Sequence, residues 1–175
     1  MPQAVKDISA RKDYLKKCYK ACLWSTACLL MCVLLFLMLD HLFPLKVEIS
    51  YSQSIQDHQG NTIHLFLSKD QKWRIQASNN EISPLVKKVF IAKEDQYFYY
   101  HYGFNVLSIV RALVNNTLKR KTTSGASTIT MQVSRLLVPK RRTYSNKLIE
   151  IFRAIQLENR YTKDEILNLY FNLIP

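Results

Sequence analysis

The feature that most constrains this chain is the uncharged apolar run from Ala21 to Leu39. In a helix, at about 1.5 Å per residue, a run of this length spans a hydrocarbon core of roughly 30 Å. The sequence therefore predicts a single transmembrane helix over residues 21–43. A cleaved signal peptide is the alternative, but the run is longer than a typical signal core and no Ala-x-Ala site follows it. An uncleaved anchor is favoured.

Charge predicts the orientation of this anchor. Six basic residues precede it, against two acidic ones: Lys6, Arg11, Lys12, Lys16, Lys17 and Lys20, with Asp7 and Asp13. By the positive-inside rule, residues 1–20 form a cytoplasmic tail and the rest of the chain is exported. The whole chain is basic, with 25 Lys and Arg against 13 Asp and Glu. An exported basic domain beside a bilayer should attract anionic head groups or lipid-linked substrates, and this topology argues against nucleic acid.

The four cysteines lie in or beside the predicted membrane helix, so no disulfide framework is expected in the exported part. The sequence pattern over residues 44–80 predicts a short β or linker element. Its extended runs are Leu45–Ser52, Thr62–Leu67 and Lys72–Ile75, and Gly60-Asn61 supplies a turn.

The stretch from Glu94 to Gly103 carries the most unusual chemistry. Two adjacent carboxylates, Glu94 and Asp95, precede five aromatic rings, a histidine and a glycine. A carboxylate embedded among aromatic rings is a candidate general acid or base, because apolar surroundings raise the pKa of a carboxyl group toward neutral pH. The alternative is a helix end with a surface acid pair above an aromatic core.

Helical periodicity dominates from Ser83 onward. One helix, with Leu85, Val86, Val89 and Phe90 on its apolar stripe, should end near Glu94, and further helices are predicted over about 105–118 and 144–159. Between them, a loop rich in Ser and Thr leads into another helix, with Ser127 as its expected cap. The free amides of that loop can accept an anion, although such a loop is usually only a cap. Thr162 and Glu165 form a capping box that opens the last helix.

Three segments in this order resemble the signature of bacterial peptidoglycan glycosyltransferases, glycosyltransferase family 51, found in class A penicillin-binding proteins. They are Glu94-Asp95-x-x-Phe98-x-x-His101-x-Gly103, then Gly125-Ala126-Ser127-Thr128-Ile129-Thr130-Met131-Gln132, then Lys147-x-x-Glu150 with Leu157-Glu158-x-x-Tyr161-x-Lys163-x-Glu165-Ile166-Leu167-x-x-Tyr170-x-Asn172. Ala126 and Met131 depart from the common pattern. With Phe43-Pro44 and Trp73-Arg74, they resemble the penicillin-binding protein 1C branch. The resemblance covers about 43–175, and residues 81–175 are expected to be the N-terminal part of a domain truncated at its C-terminus.

The resemblance implies a mainly α, lysozyme-like fold and a defined reaction. The implied enzyme polymerises lipid II into glycan strands with inversion, releasing undecaprenyl diphosphate. Its implied location is the bacterial inner membrane, with a periplasmic domain. Its implied partners are lipid II, the growing glycan strand and other cell-wall synthesis proteins.

The same motifs imply roles for individual residues. Glu94 would be the general base, and Glu150 a second catalytic acid that positions substrate or a divalent metal, Mg or Mn. The implied substrate-binding residues are Asp95, Phe98, His101, Ser127, Thr128, Gln132, Arg135, Arg142 and Lys147. Two simpler interpretations stay open: a structural histidine at position 101, and a plain i, i+3 ion pair between Lys147 and Glu150.

Two other functions remain as alternatives. One is an inactive, truncated fragment that binds lipid II or partner proteins, and the other is a lysozyme-like hydrolase with a single acidic glutamate. Because each predicted helix is amphipathic, we also expect exposed apolar surface where further helices would pack.

Overall fold

The computed structural model describes residues 2–119, 127–141 and 143–174, and their side chains except those of residues 2–15, 113 and 116–119. The chain forms two compact units, Met1–Pro44 and Leu45–Pro175. The first unit contains one helix, α1, Pro2–Leu42. Its segment Lys16–Leu42 is long and apolar enough to cross a membrane, and its side chains are not buried within the protein. The predicted membrane helix is therefore present as a helix, and helical backbone also extends toward the N-terminus.

The second unit begins with a small antiparallel pair of strands, β1 (Ser54–Gln56) and β2 (Thr62–Leu65), with Ser54 opposite Leu65. The predicted turn between them is confirmed, because the Asp57 amide donates to the Asn61 carbonyl at 2.9 Å. The connecting turn includes Gly60, whose φ is +85°.

Leu45–Ser52 and Lys72–Ile75 are not strands, so the linker alternative holds for these two parts of the predicted β or linker element. Serine hydroxyl groups accept hydrogen bonds from backbone amides that strand pairing would otherwise use. Ser50 Oγ accepts from the Lys69 amide at 3.1 Å, and Ser52 Oγ accepts from the Arg74 amide at 2.9 Å. These two amides therefore donate to side chains 19 and 22 residues away along the chain and not to the carbonyl of a partner strand.

In the described part of the second unit, five helices follow the strands: α2 (Pro84–Glu94), α3 (Val106–Lys119), α4 (Ile129–Leu137), α5 (Tyr144–Arg160) and α6 (Lys163–Leu173). The predicted helical character is confirmed, and so is the capping box of Thr162 and Glu165 at the start of α6. The cap of α4 is Thr128 instead of Ser127, since the Thr128 hydroxyl accepts from the Met131 amide. The reason is that the Ser127 hydroxyl is engaged elsewhere, by Lys147.

The core of this unit forms around α4, which packs against α5 and α6. Its buried apolar residues come from these three helices and from the segment after α2: Phe98, Ile129, Val133, Leu157, Ile166, Leu167, Tyr170 and Leu173. Phe98 is fully buried, so one ring of the aromatic segment anchors that segment in the core. Burying such a ring contributes about 1.5–3 kcal/mol.

The apolar stripe of α2 is largely exposed. Leu85, Val86 and Val89 all face solvent, and α2 has no fully buried residue. Only Phe90 and Ile91 pack against the core, as half-buried side chains. On α5, Leu148 is also exposed. The expected exposed apolar helix surface is thus present on α2 and on the first half of α5.

Candidate functional site

Asp95 lies at the junction between α2 and α4. It follows the last residue of α2 and is buried, with 8% of its surface exposed. Its carboxylate accepts from His101 Nε2 at 2.9 Å and from the backbone amide of Ile129, the first residue of α4, at 3.0 Å. A carboxylate at a helix N-terminus is stabilised by the helix dipole and by unpaired amides. Asp95 therefore joins the first motif to the start of the second.

The first amides of α4 are consequently occupied. Asp95 binds the Ile129 amide, and Thr128 Oγ1 accepts from the Met131 amide at 3.2 Å. For these two amides the favoured interpretation of a capped helix start is confirmed, and anion binding by free amides, the other possibility, does not apply to them. Residues 120–126, including Gly125 and Ala126 of the second motif, lie outside the described residues.

Glu94 has the opposite environment from Asp95. It is the last residue of α2, and its side chain is exposed. Its Oε2 accepts from Nε2 of Gln132 at 3.1 Å. The expectation of a catalytic carboxylate embedded among aromatic rings is wrong for Glu94. Adjacent residues at the helix end point in different directions, and it is Asp95 that turns inward.

Tyr170 on α6 is close enough for the charge of Glu94 to change the pKa of its phenol. Burial raises the pKa of the Tyr170 phenol, and the negative charge of Glu94 raises it further. The exposed Glu94 side chain therefore has the nearly buried Tyr170 of α6 in its neighbourhood.

A cleft of about 230 Å³ opens beside Glu94. Glu94 and Asp95 line it on one side, and Ser127 and Thr128 of the second motif line it as well. Its cationic lining residues include Arg111 of α3, which the sequence patterns did not single out. The cleft is predominantly polar and is thus suited to a hydroxylated or anionic ligand.

Lys147 connects the second motif to the third. Its Nζ donates to Ser127 Oγ at 2.6 Å and to Glu150 Oε2 at 2.9 Å. The i, i+3 ion pair is therefore real, and it is also part of a larger arrangement. Through Lys147, Glu150 is coupled to a residue that lines the cleft.

The other predicted site residues are placed as follows. Arg135 lies in the last turn of α4 and is half-buried, whereas Arg142 lies outside the described residues. His101 is nearly buried, and its Nδ1 has no hydrogen-bond partner in the described part of the chain. Across that part, no three Asp, Glu, His or Cys side chains are grouped as a metal site would require.

Two residues of the third segment, Glu158 and Lys163, had no role assigned from sequence. Glu158 Oε1 accepts from the Gly103 amide at 3.0 Å, from Thr130 Oγ1 at 2.7 Å and from Lys163 Nζ at 2.7 Å. Lys163 also donates to the His101 carbonyl at 2.6 Å. The only sequence signal for Glu158 and Lys163 was their position in the third motif segment. Spacing along the chain does not show that their side chains contact the first and second segments.

The site agrees with comparisons to known proteins. A family model described as Transglycosylase matches residues 59–175. Penicillin-binding protein 4 of Bacillus subtilis (strain 168) is 38% identical over 138 residues, which cover 78% of this chain and 22% of that protein. Penicillin-binding protein 1C of Escherichia coli (strain K12) is 36% identical over 137 residues, which cover 78% of this chain and 18% of that protein.

A third relative, penicillin-binding protein 1A of Escherichia coli (strain K12), is 42% identical over 105 residues, covering 59% of this chain and 12% of that protein. The chain thus spans about a fifth or less of the length of these three relatives. The family model, in contrast, covers most of the chain and all three motif segments. This chain belongs to the transglycosylase family, whose domain is lysozyme-like and mainly helical.

Proposed function

We propose that this chain is a membrane-anchored peptidoglycan glycosyltransferase that polymerises lipid II, with inversion and release of undecaprenyl diphosphate. The observation that carries the proposal is the contact of Lys147 with both Ser127 and Glu150, beside the cleft that Glu94 lines. Membership of the transglycosylase family supports the same reaction class.

Glu94 is the proposed general base. A sugar 4-hydroxyl must lose its proton as it attacks an anomeric carbon, on the face opposite the departing diphosphate. Glu94 is exposed to the cleft and is held by one hydrogen bond from Gln132. Gln132 donates to Oε2, and Oε1 is the oxygen proposed to accept the substrate proton. Asp95 supports this position indirectly, because it is engaged by His101 and Ile129.

The proposed leaving group is a diphosphate, which gains negative charge as the glycosidic bond breaks. Cationic side chains aimed at that charge lower the barrier more than they would in water. Lys147, Arg135 and Arg142 are the proposed cations. Lys147 is about one-third exposed, so its ammonium can reach a ligand as well as Ser127 and Glu150.

Mg²⁺ or Mn²⁺ fits this site only together with the substrate. Glu150 is a single carboxylate, and Mg²⁺ commonly binds one or two carboxylates plus substrate phosphates. Glu150 would hold such an ion, which would supply neutralising charge for the diphosphate. Without a ligand, Lys147 is the cation that pairs with Glu150.

The proposed location is the bacterial inner membrane, with the N-terminus cytoplasmic and the domain periplasmic. The six basic residues that precede the apolar run Ala21–Leu39, against two acidic ones, support this orientation. Lipid II keeps its isoprenoid chain in the bilayer, so its polymerase must work at the membrane surface. Other cell-wall synthesis proteins are proposed partners.

The decisive experiment uses the full chain in nanodiscs supplied with labelled lipid II. We expect labelled glycan strands that lysozyme digests. Binding of lipid II without polymer would favour the inactive-binder alternative. Release of muropeptides from isolated cell wall would instead favour a hydrolase, and absence of both binding and polymer would refute the proposed function.

A further inference from the structure

Gly103, which ends the first motif, is pressed against α5. Its φ is +76°, in the region that favours glycine. A Cβ there would lie 3.0 Å from the backbone carbon and oxygen of Ala154 and 3.3 Å from Glu158 Cγ. The backbone therefore approaches α5 so closely that a side chain at this position would push against the backbone of Ala154. This contact sets where the first motif lies relative to the third.

Glu158 holds that contact in place. Its side chain is 4% exposed, and its Oε1 accepts from the Gly103 amide, the Thr130 hydroxyl and the Lys163 ammonium. A buried carboxylate is costly unless it is paired and hydrogen-bonded, and these three donors provide that compensation. One oxygen thus joins the first motif, α4 and α6.

The carbonyl group of Gly103 links this contact to the cleft. Its carbonyl accepts from Thr128 Oγ1 at 2.6 Å, and Thr128 caps α4. One turn into α4, Gln132 donates to Glu94. The position of Glu94 therefore depends on the start of α4, which depends in turn on Gly103 and Glu158.

We propose that Glu158 is a positioning residue that sets the cleft wall through Gly103 and Thr128. It contacts neither Glu94 nor Glu150 directly in the described contacts, and acts through the backbone of Gly103 and the start of α4. The expected change in kcat rests on the proposed function, whereas the expected change in amide hydrogen exchange does not. It adds a role for Glu158 to the roles implied by the motifs.

The test compares Glu158→Gln with the matched charge removal Glu165→Gln in the full chain. Glu165 lies in the same part of the chain, but its carboxylate binds Thr162. Amide hydrogen exchange should rise about tenfold at Gly103, Ile129 and Met131 in Glu158→Gln. The Gly103 amide loses its charged acceptor, and the first residues of α4 lose the support they receive through Thr130 and through the Gly103 carbonyl. Glu165→Gln should leave those amides within about twofold of the wild type.

Kinetics provide a second readout that a general loss of stability would not produce. If the wild type polymerises lipid II, kcat of Glu158→Gln should fall about tenfold with KM within about twofold, because Glu158 is buried and is not among the residues that line the cleft. Thr130→Val removes one hydrogen-bond donor to Glu158 and keeps the Glu158 carboxylate. It should raise amide exchange at Gly103, Ile129 and Met131. If Glu158→Gln does not fold, Thr130→Val takes its place in the test.

Unchanged exchange at Gly103 and Ile129 would overturn the inference, as would equal kcat values in an active enzyme. The same increase in Glu165→Gln would also overturn it. A wild type that makes no polymer would refute the proposed function alone, because the exchange measurements would still decide whether Glu158 holds the cleft wall.

Discussion

Gln132 Nε2 donates a hydrogen bond to Glu94 Oε2 across 3.1 Å, which joins α4 to the end of α2. Glu94 ends the helix that precedes the aromatic segment, and Gln132 lies in the second turn of the helix that follows the Ser/Thr-rich loop. The bond restrains an otherwise exposed carboxylate at the edge of the cleft. It therefore links the first two motif segments at the residue proposed to remove the substrate proton.

Replacing Glu94 with Gln should abolish polymerisation without unfolding the protein. An amide of the same shape cannot accept the proton from a sugar hydroxyl at neutral pH, and loss of a general base costs about 10²–10⁴-fold in rate. Glycan synthesis from lipid II measures the activity, and a thermal melt measures the fold. Glu81→Gln is the control, because Glu81 is exposed and binds the Ser78 amide. Polymerisation by Glu94→Gln at the wild-type rate would rule out this base.

Replacing Lys147 with Met should lower kcat by about 100-fold or more, since it removes a cation proposed to stabilise the leaving diphosphate. It also separates Ser127 from Glu150. Initial rates over a range of lipid II concentrations measure the effect. Lys87→Met is the matched control, because Lys87 donates to Asn79 instead. Equal losses in both variants would show that the effect on rate is not specific to the site.

Gly103→Ala should destabilise the protein by about 2–4 kcal/mol, because a Cβ there is strained by φ and would meet the backbone of α5. Gly60→Ala provides the comparison. Gly60 also has positive φ, at +85°, but a Cβ there has open space around it. We expect Gly60→Ala to cost about 1–2 kcal/mol. Urea unfolding measures both, and equal costs would show that contact with Ala154 is unimportant.

The start of α6 should become less stable in acid. Hydrogen bonds from the Thr162 backbone and side chain lower the pKa of Glu165 from its ordinary value of 4.5. A lowered folded-state pKa means that this contribution is present above pH 4.5 and is lost as pH falls through the folded-state value. Urea midpoints between pH 7 and pH 3 should therefore fall more in the wild type than in Glu165→Gln, which keeps an acceptor but does not titrate. Parallel curves for the two proteins would contradict this assignment.

The helices could be predicted because their signals are local. Thr162 and Glu165 are three residues apart, and each satisfies a backbone amide of the same turn. Strand pairing is different, because β1 needs a partner that lies across a turn. Leu45–Ser52 has the alternating pattern of a strand, but Ser50 and Ser52 bind other amides. Alternation alone does not identify the partner.

By itself, the sequence determined the apolar N-terminal helix, the order of the amphipathic helices and the family to which the motifs belong. These properties depend on composition and on spacing along one chain. Only the tertiary structure decided that Glu94 faces the cleft while its neighbour Asp95 is buried against Ile129. It also decided that Glu158 reaches Gly103, 55 residues away. The physical reason is that burial and hydrogen-bond partners depend on which elements pack together, and adjacent residues at a helix end can face entirely different surroundings.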